Sequence, residues 1–201
     1  MMHEKIIILD FGSQYTQLIA RRIRELNIYC EIHPFNSIIE ISNDIKAVIL
    51  SGSPFSVRDK DAPNIDLEKI KGKVPLLGIC YGAQYIVKED GGDVLASEIR
   101  EYGRANLSYV NNNNALLKDV PNDSQVWMSH GDTISRLPSN YNIIASTKDV
   151  KIAAFHVNNE DIYAIQFHPE VYHTDYGKNI LKNFLLDIAC CNQDWTPNSF
   201  V

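Results

Sequence analysis

The chain has 201 residues, 45% of them hydrophobic and 22% charged, a balance that excludes disordered and fibrous classes and fits one globular domain. Nineteen basic against 25 acidic residues leave a net charge of -6, which excludes affinity for nucleic acid through bulk charge. No stretch approaches the roughly 18 consecutive apolar residues of a membrane span, and Met1 to Asp10 lacks the ordered regions of a signal peptide, so a cytoplasmic protein is expected.

Lys5 to Leu9 is a continuous apolar, β-branched run, predicted as a strand that ends at the turn Asp10-Phe11-Gly12-Ser13. Tyr15, Leu18, Ile19, Arg22, Ile23 and Leu26 then recur at helical spacing, with Ser13 placed to cap the helix. Arg21, Arg22 and Arg24 form the one compact basic cluster and read as a solvated face of that helix. Ile28 to His33, Lys46 to Leu50 and Pro75 to Ile79 are three further strands, the last entering a helix from Tyr81 to Asp90 that Gly91 can end in a left-handed conformation. Strands that are apolar throughout and separated by helices imply a parallel sheet covered on both faces, because a half-exposed strand alternates.

The second half changes character. Glu98 to Tyr109, Gln125 to Ser129, Asn142 to Ser146, Lys151 to Val157 and Asp161 to Phe167 are strand candidates with short connections. Asn111 to Asn114 reads as a polar turn and Val157 to Asp161 as a hairpin loop. A final amphipathic helix is predicted over Asp175 to Ala189, with Ile180, Leu181, Phe184, Leu185 and Ile188 on the face that packs against the sheet. The fold class is therefore α/β: three layers, a mostly parallel central sheet with helices on both faces, and an added antiparallel strand region in the second half.

Chemistry concentrates at Gly78-Ile79-Cys80-Tyr81-Gly82, where an apolar strand hands over to a helix. This is the nucleophile-elbow pattern with cysteine in place of serine, and its glycines are required because a Cβ two residues from so sharp a turn would collide. The helix amino terminus favours thiolate at Cys80, and the Tyr81 amide, free in the first turn, points where an oxyanion would form. Composition alone expects about 0.01 such matches. Cys30, Cys190 and Cys191 complete the cysteines; no Cys-x-x-Cys pair and no His-x3-His spacing occurs, so neither disulfides nor a metal site is expected.

A thiol nucleophile needs a group that takes and returns its proton. His168 follows an apolar strand directly, and Glu170, beyond the stiff Pro169, can fix its tautomer. His130, in Ser129-His130-Gly131-Asp132, also follows a strand and is the rival base. Ser51-Gly52-Ser53-Pro54 follows the strand ending at Leu50, and so falls at the ligand-binding edge of a parallel sheet, where its amides can supply a second oxyanion donor.

Gly78-Ile79-Cys80-Tyr81-Gly82-Ala83-Gln84 and Gln166-Phe167-His168-Pro169-Glu170 together resemble a class I glutamine amidotransferase domain, over nearly the whole chain. Leu9-Asp10-Phe11-Gly12-Ser13-Gln14-Tyr15 and Trp127-Met128-Ser129-His130-Gly131-Asp132 extend the likeness to the branch of that family whose ammonia aminates XMP to GMP. The resemblance implies Cys80 as nucleophile, His168 as general acid and base and Glu170 as its orienter, with His130 a neighbour. It implies that Gly52, Gln84, Ser129, Gly131 and Asp132 hold glutamine, and that the amides of Tyr81 and Ser53 form the oxyanion hole. Ser53 departs from the second glycine usual there: either the backbone suits serine, or the donor forms only after a rearrangement.

Residues 1–191 are expected to form the glutaminase domain, and 192–201 a tail resembling the junction to an ATP pyrophosphatase domain, whose Ser-Gly-Gly-x-Asp-Ser loop is absent. No cofactor is expected in this chain. The resemblance implies glutamine as substrate and that synthetase domain, user of ATP and Mg, as partner, with no nucleic acid or membrane. Without the partner, ammonia release is expected to be slow. Competing readings are another cysteine hydrolase on this fold, such as a γ-glutamyl hydrolase or a peptidase, a non-catalytic module, and a stand-alone amidotransferase for another acceptor.

Overall fold

Apolar side chains on both faces of a strand can be buried only if helices or loops cover each side of the sheet, and the first half of the chain is built to that rule. The computed structural model describes residues 4–37 and 40–196, and at 98–101 the backbone alone. Its elements are β1 (Lys5–Asp10), α1 (Thr16–Arg24), β2 (Tyr29–Pro34), β3 (Ile45–Leu50), β4 (Leu76–Ile79), α2 (Tyr81–Glu89), β5 (Asp93–Val110), β6 (Gln125–Arg136), β7 (Tyr141–Thr147), β8 (Ala154–Val157), β9 (Ile162–Ile165) and α3 (Gly177–Lys182). Among the described residues no helix is long and apolar enough to cross a membrane.

The strands join in the order β2-β1-β3-β4-β9-β8-β7-β5-β6. The pairs from β2 to β9 are parallel, and those from β9 to β6 antiparallel. Period-two alternation in β1 then sorts the core. Ile6 and Ile8 face Ile19 and Ile23 of α1 together with Ile180, Leu181, Phe184 and Leu185 near the end of the chain. Ile7 and Leu9 face the other way, with Ile86 and Val87 of α2. Helices therefore cover both faces, as the sequence predicts, and each fully buried Ile or Leu removes enough apolar surface to contribute about 2 kcal/mol.

Four predictions need correction. Ser13 does not cap α1: the residue preceding the helix is Tyr15, without a side-chain cap, while Ser13 Oγ accepts from the Tyr15 amide at 3.1 Å. Asp10 holds this turn instead, accepting from Gly12 N at 2.9 Å and Thr16 Oγ1 at 2.7 Å. The strand predicted to end at Ser129 runs on to Arg136, because β5 pairs with it on both sides of a register break between Ala96 and Glu101. Ser129, Gly131 and Asp132 are thus strand residues rather than a loop.

The last helix starts at Gly177 and widens into a π-helical turn over Asn183–Ile188, so that the buried Asn183 amide donates to the carbonyls of Leu116 and Lys118. Finally, Arg22 is not solvated. Its Nε donates to the Glu170 carbonyl at 3.0 Å and its Nη1 pairs with Glu25, whereas Arg21 remains exposed. In the tail, Trp195 packs against Tyr29 and its amide donates to Asn27 O; Pro197 to Val201, like Met1 to His3, lie outside the described residues.

Candidate active site

Parallel pairing of β1, β3, β4 and β9 brings four strand ends to one edge of the sheet, and each is followed by residues of the site. Short backbone ties fix these segments to one another. Ser51 N donates to Leu9 O, Ser51 Oγ accepts from Phe11 N at 3.0 Å, Gly82 N donates to Ser51 O, and Cys80 N donates to Ile165 O at 2.8 Å. A cleft of about 650 Å³ opens at this edge.

Cys80 sits between β4 and α2 with φ 54° and ψ -104°, a left-handed conformation that costs a non-glycine residue roughly 1–3 kcal/mol and persists only where its surroundings impose it. The surroundings are visible. A Cβ on Gly78 would stand 2.8 Å from the backbone of Gly82 and Ala83, and one on Gly82 would stand 2.6 Å from Leu50 O. Both glycines therefore let α2 start directly against β3 and β4, which turns the Cys80 side chain into the cleft. Its sulfur lies 3.7 Å from the Ser129 carbonyl. Cys30 and Cys191 differ: burial pushes their thiols up to about 11 and about 12, and neither lines the cleft.

His168 emerges from β9 and lines the cleft with Cys80, its Nδ1 2.7 Å from Glu170 Oε1. A carboxylate only accepts, so Nδ1 carries the proton and Nε2 is left for the cysteine. His168 and Glu170 are 3% and 0% exposed, and Glu170 Oε2 has no hydrogen-bond partner among the described residues, which directs the buried charge at the imidazole. Burial would lower the His168 pKa, but the charges of Glu170 and Cys80 outweigh it and raise the value well above the ordinary 6.5. The backbone of His168 is clamped twice to Trp127 of β6. Its amide donates to Trp127 O at 3.0 Å, and its carbonyl accepts from Thr174 Oγ1 at 2.6 Å, which itself accepts from Trp127 N at 3.0 Å. Tyr15 lies edge-on to the ring at 5.0 Å.

The remaining predicted residues gather along β6 and the loop after β3. Gly52, Gln84, Ser129, Gly131 and Asp132 all line the cleft. Gln84 Nε2 donates to the Asp132 carbonyl at 2.9 Å and to Gln166 Oε1 at 3.2 Å, bracing α2 against β6. His130 Nδ1 is 2.8 Å from the same carbonyl, so that nitrogen is committed as a donor to β6. Ser53 is outside the left-handed region, and its Oγ donates to Phe11 O at 2.8 Å, so the backbone there suits serine. Sequence reasoning missed Ser56 and Arg58, which hold the Asp132 carboxylate, and Tyr15, Arg22 and Thr174, which hold the His168–Glu170 turn. No local spacing announces them. Among the described residues no group of three or more His, Cys, Asp or Glu is arranged to hold a metal ion.

Comparison with known proteins agrees with this fold. The family model for Glutamine amidotransferase class-I matches residues 7–188. A GMP synthase (glutamine-hydrolyzing) of Cytophaga hutchinsonii is 60% identical over 200 residues, which cover 100% of this chain and 39% of that protein. The protein of the same name from Christiangramia forsetii is 57% identical with the same coverage, so the chain spans well under half the length of these relatives. Among solved structures, a GMP synthase component from Thermoplasma acidophilum, so named provisionally, superposes with a TM-score of 0.77 at 31% identity, covering 94% of each chain. A glutamine amidotransferase from Thermotoga maritima, at 18% identity and covering 93% of this chain and 98% of its own, shares the fold with a TM-score of 0.74.

Proposed function

The chain belongs to the Glutamine amidotransferase class-I family, and on that premise we propose that it releases ammonia from the side chain of glutamine, with Cys80 as nucleophile, His168 as proton carrier and Glu170 as the group that orients it. One observation carries the reading: Cys80, on a left-handed elbow, meets an imidazole whose other nitrogen is 2.7 Å from a buried carboxylate. The Cys80 proton passes to His168, the sulfur attacks the carboxamide carbon, a C–S bond forms as the C=O π bond opens, and the oxygen takes the charge. The amides of Tyr81, which has no acceptor within its own helix turn, and of Ser53 stabilise that oxyanion. As the C–N bond breaks, His168 gives its proton to the departing nitrogen, leaving ammonia and a γ-glutamyl thioester. Water then loses a proton to His168 and attacks the thioester; the C–S bond breaks, the sulfur recovers its proton, and glutamate leaves. Lining of the cleft by Gly52, Gln84, Ser129, Gly131 and Asp132 supports their role in holding glutamine.

Ammonia release from glutamine tests this directly. Cys80→Ala is expected to lower it by at least about three orders of magnitude with the fold intact, and release at the wild-type rate would refute the assignment.

The relatives are named for GMP synthesis, and this chain spans 39% of their length. Within that whole, we assign to it the glutamine-hydrolysing share, its ammonia aminating XMP to GMP on a synthetase domain that uses ATP and Mg. Turnover by the chain alone is then slow. Addition of a relative's synthetase domain with XMP, ATP and Mg should accelerate it and yield GMP; acceleration only by a chorismate-aminating partner would assign a different acceptor.

A further inference from the structure

Two hydroxyls tie the loop after β3 to the segment that follows β1. The buried Ser51 accepts from the Phe11 amide at 3.0 Å, and the same Oγ donates to the Gly52 carbonyl at 2.9 Å. Ser53 Oγ donates to the Phe11 carbonyl at 2.8 Å and accepts from the Phe55 amide at 3.2 Å. Each hydroxyl thus spends its hydrogen and a lone pair, and both close on the backbone of Phe11, itself buried. Between them lies the peptide that joins Gly52 to Ser53.

That peptide stands beside the reacting groups. A Cβ on Gly52 would be 3.7 Å from Cys80 Cβ and 3.4 Å from His168 Cε1. The peptide is trans, so the Gly52 carbonyl and the Ser53 N–H point to opposite sides of it. Ser51 holds the carbonyl from behind the cleft wall: Gly52 and Ser53 line the cleft and Ser51 does not. The N–H is therefore turned to the cleft side. A peptide plane in a loop can rotate about its flanking dihedrals, and half a turn here would replace a donor by a carbonyl oxygen that repels an oxyanion. Ser51 restrains the plane at its carbonyl, and Ser53 restrains it at the residue that carries the N–H. Alanine or glycine at position 53 could make neither of the Ser53 bonds.

We propose that the Ser53 side chain is a positioning group for the oxyanion hole: its hydroxyl latches the loop to Phe11 and keeps the Ser53 amide turned to the oxygen on which charge develops. The proposal rests on the reading of Cys80 as the glutaminase nucleophile. The hydroxyl makes and breaks no bond to glutamine and acts only through the orientation of one peptide. Without it the plane is freed and the donor is in place for part of the time only. Acylation then slows, whereas binding of uncharged carboxamide, which does not call on that donor, is kept.

The test compares wild type, Ser53→Ala and Ser53→Thr in the 201-residue chain. Steady-state ammonia release is set beside alkylation by iodoacetamide, read by mass on the peptide carrying Cys80. In that alkylation the thiolate displaces iodide from a saturated carbon and no oxyanion forms, so it reports the sulfur without the hole. Complete loss of an oxyanion donor lowers kcat by about 10²–10³, and a freed donor should cost part of that. Ser53→Ala is expected to lower kcat about tenfold, with KM and the alkylation rate each within about twofold of wild type. Ser53→Thr, which keeps the hydroxyl, should recover most of the loss. A kcat for Ser53→Ala within about twofold of wild type would overturn the proposal, because the peptide would then hold its place without the latch. Equal falls in kcat and in alkylation would also overturn it, by reducing the hydroxyl to a general support of the elbow. A wild type that alkylates at Cys80 yet releases no ammonia from glutamine would instead strike the glutaminase reading, and this proposal with it.

Discussion

The surroundings of His168 favour its protonated form: Glu170 and Cys80 raise its pKa well above the ordinary 6.5 although burial acts the other way. A raised value keeps the imidazolium as pH climbs past the ordinary range and loses it only when pH passes through the raised value. Since imidazolium gives the leaving nitrogen its proton, kcat/KM should hold through neutral pH and fall on the alkaline side. Glu170→Gln removes the charge that raises the pKa, so the alkaline limb should move to lower pH and kcat should fall by about two orders of magnitude; an unmoved limb in the pH–rate profile would contradict this. Thr174 acts one step further out, as the hydroxyl relay between His168 O and Trp127 N. Thr174→Val should lower kcat about tenfold with KM nearly unchanged, and Thr174→Ser should restore it; equal rates for both variants in a steady-state assay would deny Thr174 this positioning role. Cys80 and the His168–Glu170 pair were legible because their signals are local, an elbow between glycines and a base two residues from its orienter. Arg58, Arg22 and Thr174 were not, because their partners lie 74, 148 and 47 residues away and only the fold brings them together.

At the scale of elements, the elbow is a joint between β3, β4 and α2. Gly82 meets Leu50 so closely that a Cβ would stand 2.6 Å from its carbonyl oxygen and its Cβ. Gly82→Ala should therefore cost about 3 kcal/mol of unfolding free energy, measured by denaturant titration, and loss of less than about 0.5 kcal/mol would show that α2 can shift without penalty. The central strands were legible because burial on both faces leaves an uninterrupted apolar run. β6 was harder: its burial alternates residue by residue, and Ser129-His130-Gly131-Asp132 carries the composition of a turn. What extends it is the long partner β5, a contact that neither strand's own sequence reveals. The start of the last helix was misplaced for a similar reason. Asp175 N donates to Gln125 O, and Gly177 packs so tightly on Pro169 that a Cβ would lie 1.9 Å from its carbonyl oxygen. Helical spacing says nothing of either tie.

At the scale of the whole molecule, the described residues form a nine-stranded sheet between two apolar layers, and the proposed catalysis depends on its strand order. Parallel strands and covering helices could be read from the sequence, but the adjacency of β4 and β9 could not, since periodicity does not encode which distant strands pair. That adjacency brings His168 to Cys80. The layer under α1 and the final helix holds it in place, and Phe184→Ala, at a fully buried position, should cost about 3–5 kcal/mol in chemical denaturation; a near-neutral result would mean that this layer does not bear on the sheet. Covalent catalysis at Cys80 is tested by rapid acid quenching of the chain with glutamine, followed by mass analysis of the peptide carrying Cys80. A γ-glutamyl thioester on Cys80, absent from Cys80→Ala, is the predicted result; ammonia release with no adduct on Cys80, or with the adduct on another residue, would contradict it.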